Sequence, residues 1–269
     1  MKTIQKLTLG LLTVVATSSA FASNLVIEVA GSDVATVSGA IAGTASKIGT
    51  GEAILSGNNA SLTALTLSNG QVEINAANAM PGAVTFNTNA GNILEINAAS
   101  ASVPALTMTT AGKLLCTLDT SLVGAPSGAA LTVGAAASKV LTIGADLSAG
   151  TSAMVIESAA TVAVGAASGN KMPAASAPDV TVAGILQLKS NMAGGYCAGD
   201  NIINGTLLVD ASVSVPAYAA ATNIANTDFF NHWDGVSASE GSLKFNSGST
   251  LKLGNGAVWA RAITVGTAL

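Results

Sequence analysis

The feature that most constrains this chain is a short triplet, apolar–polar–apolar, that recurs along it and is often followed by Asn, Gly or Ser. Clear copies are Val72-Glu73-Ile74-Asn75, Val84-Thr85-Phe86-Asn87, Leu94-Glu95-Ile96-Asn97 and Leu141-Thr142-Ile143-Gly144. Because successive side chains of a strand point to opposite faces, each triplet can bury two apolar residues and leave the polar one outside. Strands this short bury little surface alone, so they must stack on equivalent strands.

The spacing of the triplets predicts how they stack. Equivalent positions lie one period apart in the pairs Val72–Leu94, Val84–Leu106 and Leu141–Val162. This return predicts an all-β chain folded as a right-handed parallel β-helix, a β-solenoid with about 20–22 residues per coil. Stacking would also align Asn75 with Asn97, whose amides could form a ladder. The alternative is a sandwich or barrel of hairpins, which the turn spacing does not exclude but which favours longer strands.

Composition agrees with a narrow β core. Hydrophobic residues make up 49% of the 269-residue chain, but only 3% of residues are aromatic and 9% are charged. Ordinary globular proteins have about 25% charged residues. Small and β-branched side chains, with many Gly, Ser, Thr and Asn, suit short strands joined by tight turns. The formal charge of −4 is a poor match for nucleic acid, so no nucleic-acid partner is predicted.

Residues 1–22 have the three parts of a secretory signal peptide. Lys2 and Lys6 precede an apolar run, Leu7 to Ala16, and the segment ends in Ala20-Phe21-Ala22. We expect cleavage after Ala22 and export to the cell surface, the outer membrane or the medium. The apolar run is too short to cross a hydrocarbon core of about 30 Å, and no transmembrane helix is predicted.

The repeat divides the exported part of the chain. We predict a solenoid over residues 23–215, a protruding loop over 216–240, and final solenoid coils over 241–269. The candidate partner-contact site is in that loop, because exposed aromatic side chains suit protein contacts. Its residues are Asp228, Phe229, Phe230, His232, Trp233 and Asp234. Carboxylates and an imidazole are also metal-ligand types, but aromatics packed on the stack explain the segment better, and no metal site or cofactor is predicted.

The two cysteines are not expected to form a disulfide. Cys116 and Cys197 are 81 residues apart, which is about four coils. Stacked coils would separate them along the axis by much more than the roughly 7 Å that a disulfide allows between Cα atoms. We therefore interpret Cys116 as a small core residue.

Residues 45–75 resemble a known repeat. The segment Gly49-Thr50-Gly51-Glu52-Ala53-Ile54-Leu55-Ser56-Gly57-Asn58-Asn59 is similar to the start of the autotransporter-associated β-strand repeat, and residues 68–74 are similar to its second half. The other triplets resemble, in composition, autotransporter passengers such as the rickettsial surface antigens. Two departures are residues 60–64, which replace the usual aromatic-Thr-Gly-Gly stretch, and the lack of a translocator-barrel pattern after Ile263.

The resemblance implies a passenger-like protein that does not export itself. It implies an adhesin-like structural protein, surface-held or secreted, that presents loops on a β-helical stalk. Its expected partners are a host or cell-surface protein or a glycan. A truncated autotransporter remnant is an open alternative.

Catalysis is not predicted. Polysaccharide lyases and hydrolases of this fold need clustered carboxylates, or carboxylates with Arg and Lys, on one face. Here the acidic residues are interpreted as scattered singly, at Glu73, Glu95, Asp119, Asp146 and Glu157. Glu73 and Glu95 are one period apart and would stack as part of a solvated outer face. A secreted polysaccharide-active β-helix enzyme is the second open alternative.

Overall fold

The chain is an all-β solenoid. The computed structural model describes residues 5–9, 24–76, 79–165, 172, 178–190, 200–215 and 243–259. Over these residues, parallel strands stack in about 8 turns of roughly 20 residues each. The predicted fold class is confirmed.

Three sheets form the sides of the solenoid. Sheet I contains, in spatial order, β1 (Gln5–Leu9), β2 (Leu25–Val29), β4 (Gly43–Ile48), β6 (Leu62–Leu67), β8 (Val84–Phe86), β11 (Leu106–Met108) and β14 (Ser127–Gly128). Sheet II contains β3 (Val34–Val37), β5 (Glu52–Leu55), β7 (Gln71–Ile74), β9 (Asn92–Ile96), β12 (Gly112–Cys116), β15 (Leu131–Ala135), β17 (Met154–Ile156), β19 (Val180–Val182), β21 (Asn201–Ile203) and β24 (Leu243–Phe245). Sheet III contains β10 (Ser102–Val103), β13 (Thr120–Leu122), β16 (Val140–Ile143), β18 (Thr161–Val164), β20 (Ile185–Leu188), β22 (Thr206–Val209) and β25 (Thr250–Leu253). The short strands β23 (Ser214–Val215) and β26 (Val258–Trp259) pair with each other.

The sheets that form the sides of the solenoid differ between its two ends. Sheet I forms one side of the N-terminal coils and ends at β14, whereas sheet III begins at β10 and forms one side of the C-terminal coils. Sheet II runs through both parts, with ten strands. Sheet II is therefore the continuous side that joins the two parts of the stack.

The strand register agrees with the sequence period. The pairs Val72–Leu94, Val84–Leu106 and Leu141–Val162 are direct neighbours in their sheets. Alternate residues of each strand are buried, as in β9, where Leu94 and Ile96 are inside. Burying one such side chain contributes about 1.5–3 kcal/mol, so the stack is held by a continuous column of apolar residues.

Cys116 lies in that column, between Ile96 and Ala135 on the neighbouring strands. It is fully buried and its thiol is free, which confirms that it is a core residue. Cys197 lies outside the described residues.

A lysine is buried at the corner between β4 of sheet I and β5 of sheet II. Lys47 of β4 is fully buried, and its ammonium donates hydrogen bonds to the carbonyl oxygens of Ile48, Gly49 and Asn69 at 3.1, 2.7 and 3.0 Å. All three donors of the ammonium are thus used by backbone acceptors. Lys47 therefore ties two successive coils together at this corner.

Strands from either side of residues 216–242 pair with each other in the stack. Leu208 of β22 pairs with Lys252 of β25, although 44 residues separate them in the chain. β21 pairs with β24 in the same way. The described strands after residue 242 therefore continue the stack in register with the coil that precedes residue 216.

The first strand falls within the predicted signal peptide. β1 pairs in parallel with β2, and Gln5 lies beside Leu25. If residues 1–22 are removed, as the sequence predicts, β2 becomes the edge strand of sheet I.

Candidate functional site

The predicted partner-contact loop lies outside the described residues. This applies to all of its members, Asp228, Phe229, Phe230, His232, Trp233 and Asp234. The outer faces of sheets I and II carry polar side chains that recur from coil to coil.

Three glutamates come together on the outer face of sheet II. Glu52 of β5 pairs with Gln71 of β7, and Glu73 of β7 pairs with Glu95 of β9. All four side chains occupy outward positions that alternate with buried residues along their strands. We call Glu52, Gln71, Glu73 and Glu95 the carboxylate ladder.

A single amide holds two of the carboxyls of this ladder. Nε2 of Gln71 donates to Oε1 of Glu52 at 2.9 Å and to Oε2 of Glu95 at 2.7 Å. Because a primary amide has two N–H groups, Gln71 satisfies one carboxyl on each side of its own coil. The amide of Asn97 donates to Oε1 of Glu73 at 2.9 Å.

The ladder corrects two sequence interpretations. Glu73 and Glu95 stack as expected, but they are not single scattered acids, since Glu52 joins them. The predicted amide ladder is wrong in its hydrogen bond at Asn97, because the Asn97 amide donates to the carboxyl of Glu73. A charged acceptor on the neighbouring coil gives a stronger hydrogen bond than a neutral amide.

The electrostatics of the ladder follow from partial burial and like charge. Burial raises the pKa of the Glu52 carboxyl, and the charge of Glu73 and a side-chain hydrogen bond with it raise that pKa further. Burial also raises the pKa of Glu95, with smaller contributions from the charges of Glu73 and Glu52. The hydrogen bonds from Gln71 act in the opposite direction on both pKa values.

The arrangement limits the chemistry that the ladder can perform. The Gln71 amide is bonded to both Glu52 and Glu95, so it occupies the space between them, where a reacting bond would have to lie. Among the described residues, no three His, Cys, Asp or Glu side chains are placed to hold a metal ion. The ladder is best described as a hydrogen-bonded fastening between coils.

Sequence reasoning missed Glu52 and Gln71 as members of this group. The interval in the chain between Glu52 and its neighbour Gln71 is shorter than the interval between Glu73 and its neighbour Glu95. A search at a constant period therefore does not align the first two coils. A search for polar residues at outward positions of successive triplets would have found them.

The outer face of sheet I differs in chemistry. Hydroxyl side chains occupy one outward position on five successive strands, at Ser46, Thr66, Thr85, Thr107 and Ser127. We call these residues the hydroxyl column; its members repeat at about 4.8 Å, the spacing between strands. Near Ser46 and Thr66, the column meets an open groove of about 230 Å³ that is also lined by Asn24, Val26 and Thr44.

The part of the chain that the structure describes contains no helix long and apolar enough to cross a membrane. No known protein family matches the chain, and neither does any curated protein or solved structure.

Proposed function

We propose that this chain is an exported structural protein, adhesin-like and similar to an autotransporter passenger, that acts at the cell surface or outside the cell. The observation that carries the proposal is the continuous ten-strand sheet II, which makes the stack a rod. Nine strand intervals correspond to about 43 Å. A rod of this kind holds surface residues away from its point of attachment.

The sequence supplies the compartment in this proposal. Lys2, Lys6 and the run from Leu7 to Ala16 have the order of a signal peptide, with Ala20-Phe21-Ala22 as the cleavage site. Export of a stack with a free, buried thiol at Cys116 creates no conflict, because that thiol is inaccessible to oxidants.

The hydroxyl column is the surface that we propose for partner contact among the described residues. It is regular, uncharged and partly exposed, and it ends in the groove near Ser46. Hydroxyl groups both donate and accept hydrogen bonds, so this face suits a neutral partner rich in hydroxyls or backbone amides. A glycan or an extended protein segment at another cell surface has that chemistry.

Fractionation of the producing cells tests the proposal. An antibody to the mature chain is used with and without protease on intact cells, and a variant with Ala20→Leu and Ala22→Leu is the matched control. We expect protease-sensitive, processed chain in the outer-surface fraction, and uncleaved, inaccessible precursor for the control. Processed chain confined to the periplasm would exclude surface display.

A second candidate function is a secreted polysaccharide-active enzyme, and the convergence of Glu52, Glu73 and Glu95 favours it. Incubation of the purified chain with a panel of acidic and neutral polysaccharides tests it by the release of reducing or unsaturated ends. Turnover that is lost in Glu73→Gln and retained in Glu157→Gln, a carboxylate outside the ladder, would establish the enzyme. We expect no turnover, because Gln71 fills the space between the carboxyls.

A further inference from the structure

The carboxylate ladder brings three carboxyl groups together on successive coils. Glu73 lies beside Glu95 on the neighbouring strand, and the Gln71 amide links Glu52 to Glu95. An ionised carboxylate can only accept hydrogen bonds, so the ionised ladder depends on neutral amides for its donors. Protonation of one carboxyl removes one of three neighbouring like charges and adds a donor to the ladder.

No cation on the neighbouring described strands compensates the ladder when that proton is lost. The strands packed around it are β3, β5, β7, β9 and β12, and Lys113 of β12 is their only cationic residue. The Lys113 ammonium lies 2.7 Å from Oε2 of Glu157, further along the stack. The groups that face the glutamates are the neutral amides of Gln71 and Asn97. Without the proton, three negative charges repel one another on strands about 4.8 Å apart.

We propose that the carboxylate ladder is a pH-sensitive fastening, in which protonation of Glu52 or Glu95 tightens coils 52–97 as the pH falls and loss of that proton loosens them as the pH rises. The device is independent of where the protein acts, since it depends only on these side chains. It makes the N-terminal part of the rod the part that responds to pH.

The direction of the effect follows from linkage. The pKa values of Glu52 and Glu95 are raised in the folded chain, whereas an unfolded glutamate titrates near about 4.3. The folded chain therefore binds more protons than the unfolded chain above that pH. This contribution to stability is fully present below about pH 4 and is lost as the pH rises through the raised pKa values.

Glu73→Gln is the test variant. A glutamine keeps an oxygen that accepts from Asn97 and supplies a donor to its neighbours without needing a proton. We expect the Tm of E73Q to exceed that of the natural chain by about 2–4 °C at pH 7.5, and the difference to vanish near pH 4. Glu157→Gln is the matched control on the same sheet; it loses the partner of Lys113 and is expected to show no gain at pH 7.5.

The titration of the glutamates in the natural chain provides a test that does not depend on the folding of a variant. Carbon-13 NMR of the side-chain carboxyls in the natural chain follows each glutamate from pH 3 to 8. We expect Glu52 or Glu95 to titrate above about 4.3. A Tm difference that is constant with pH, or Glu52 and Glu95 carboxyls that both titrate at or below the ordinary value, would overturn the proposal.

Discussion

Lys113 forms an ion pair with Glu157 across an intervening coil, with 2.7 Å between Nζ and Oε2. The strand between them, β15, carries Gly134 at the crossing point. A Cβ atom at Gly134 would stand 2.7 Å from both Glu157 Oε2 and Lys113 Cε. Because Gly134 has no side chain, the side chains of Lys113 and Glu157 can meet across β15.

Gly134→Val is expected to separate Lys113 from Glu157. In the natural chain, a double-mutant cycle of Lys113→Met and Glu157→Gln should give a coupling energy of at most about 1 kcal/mol, because both side chains are partly exposed. The coupling should disappear in the Gly134→Val background and weaken in 1 M salt, where the screening length is about 3 Å. Urea unfolding measures it; a coupling that survives the valine would contradict the geometry.

Gly124→Ala is expected to destabilise the stack. A Cβ at Gly124 would lie 1.9 Å from the backbone nitrogen of Ala105 on the neighbouring coil, and backbone atoms cannot move aside as a flexible side chain does. Overpacking of this kind costs about 1–3 kcal/mol. Gly144→Ala is the control, since its nearest atom is a side-chain carbon of Val123 at 3.0 Å. Equal losses of unfolding free energy in the two variants would show that the backbone of Ala105 is not this close to Gly124.

Lys47→Met is expected to lower the free energy of unfolding by about 3 kcal/mol. The methionine fills much of the same volume but leaves the carbonyls of Ile48, Gly49 and Asn69 without their donor, and an unsatisfied buried polar group costs about 1–3 kcal/mol. Lys113→Met, at a partly exposed site, should cost at most about 1 kcal/mol. Chemical unfolding of both variants checks this order, and the reverse order would show that the three hydrogen bonds contribute little.

The stability contributed by Lys47 is expected to rise with pH between about 8 and 10. Burial lowers the pKa of Lys47 to about 8, whereas an unfolded lysine titrates near about 10.4. Between these values the unfolded chain binds more protons, so the free energy of unfolding increases as the pH rises. The difference between the natural chain and Lys47→Met should widen from pH 8 to pH 10 in urea titrations. A difference that shrinks would mean that the carbonyls favour the charged ammonium more than burial opposes it.

Cys116 is expected to be unreactive in the folded chain. Burial raises the pKa of its thiol to about 12, so very little reactive thiolate exists at pH 8. In a Cys197→Ser variant, modification by Ellman's reagent should be slower than in urea by about a hundredfold or more. Rapid modification without urea would place Cys116 at the surface.

Local alternation and the approximate period were readable from the chain itself. Leu94 and Ile96 are buried around Glu95 because a strand alternates its faces whatever lies next to it. The pairing of Val72 with Leu94 was readable because both begin the same kind of triplet. The residues of the carboxylate ladder could not be predicted from the sequence, because the coils differ in length. The coil that brings Gln71 beside Glu52 is a short one.

The burial of Lys47 illustrates the contacts that could not be predicted from the sequence. Nothing in Ala45-Ser46-Lys47-Ile48 distinguishes a buried lysine from a surface one, since its acceptors include Asn69, which is on the next coil. The sequence alone determined a stacked parallel β fold, because strand periodicity and the recurring triplets act locally. Only the tertiary structure decided which polar side chains meet, because that depends on the length of every coil and on atoms brought together from different turns.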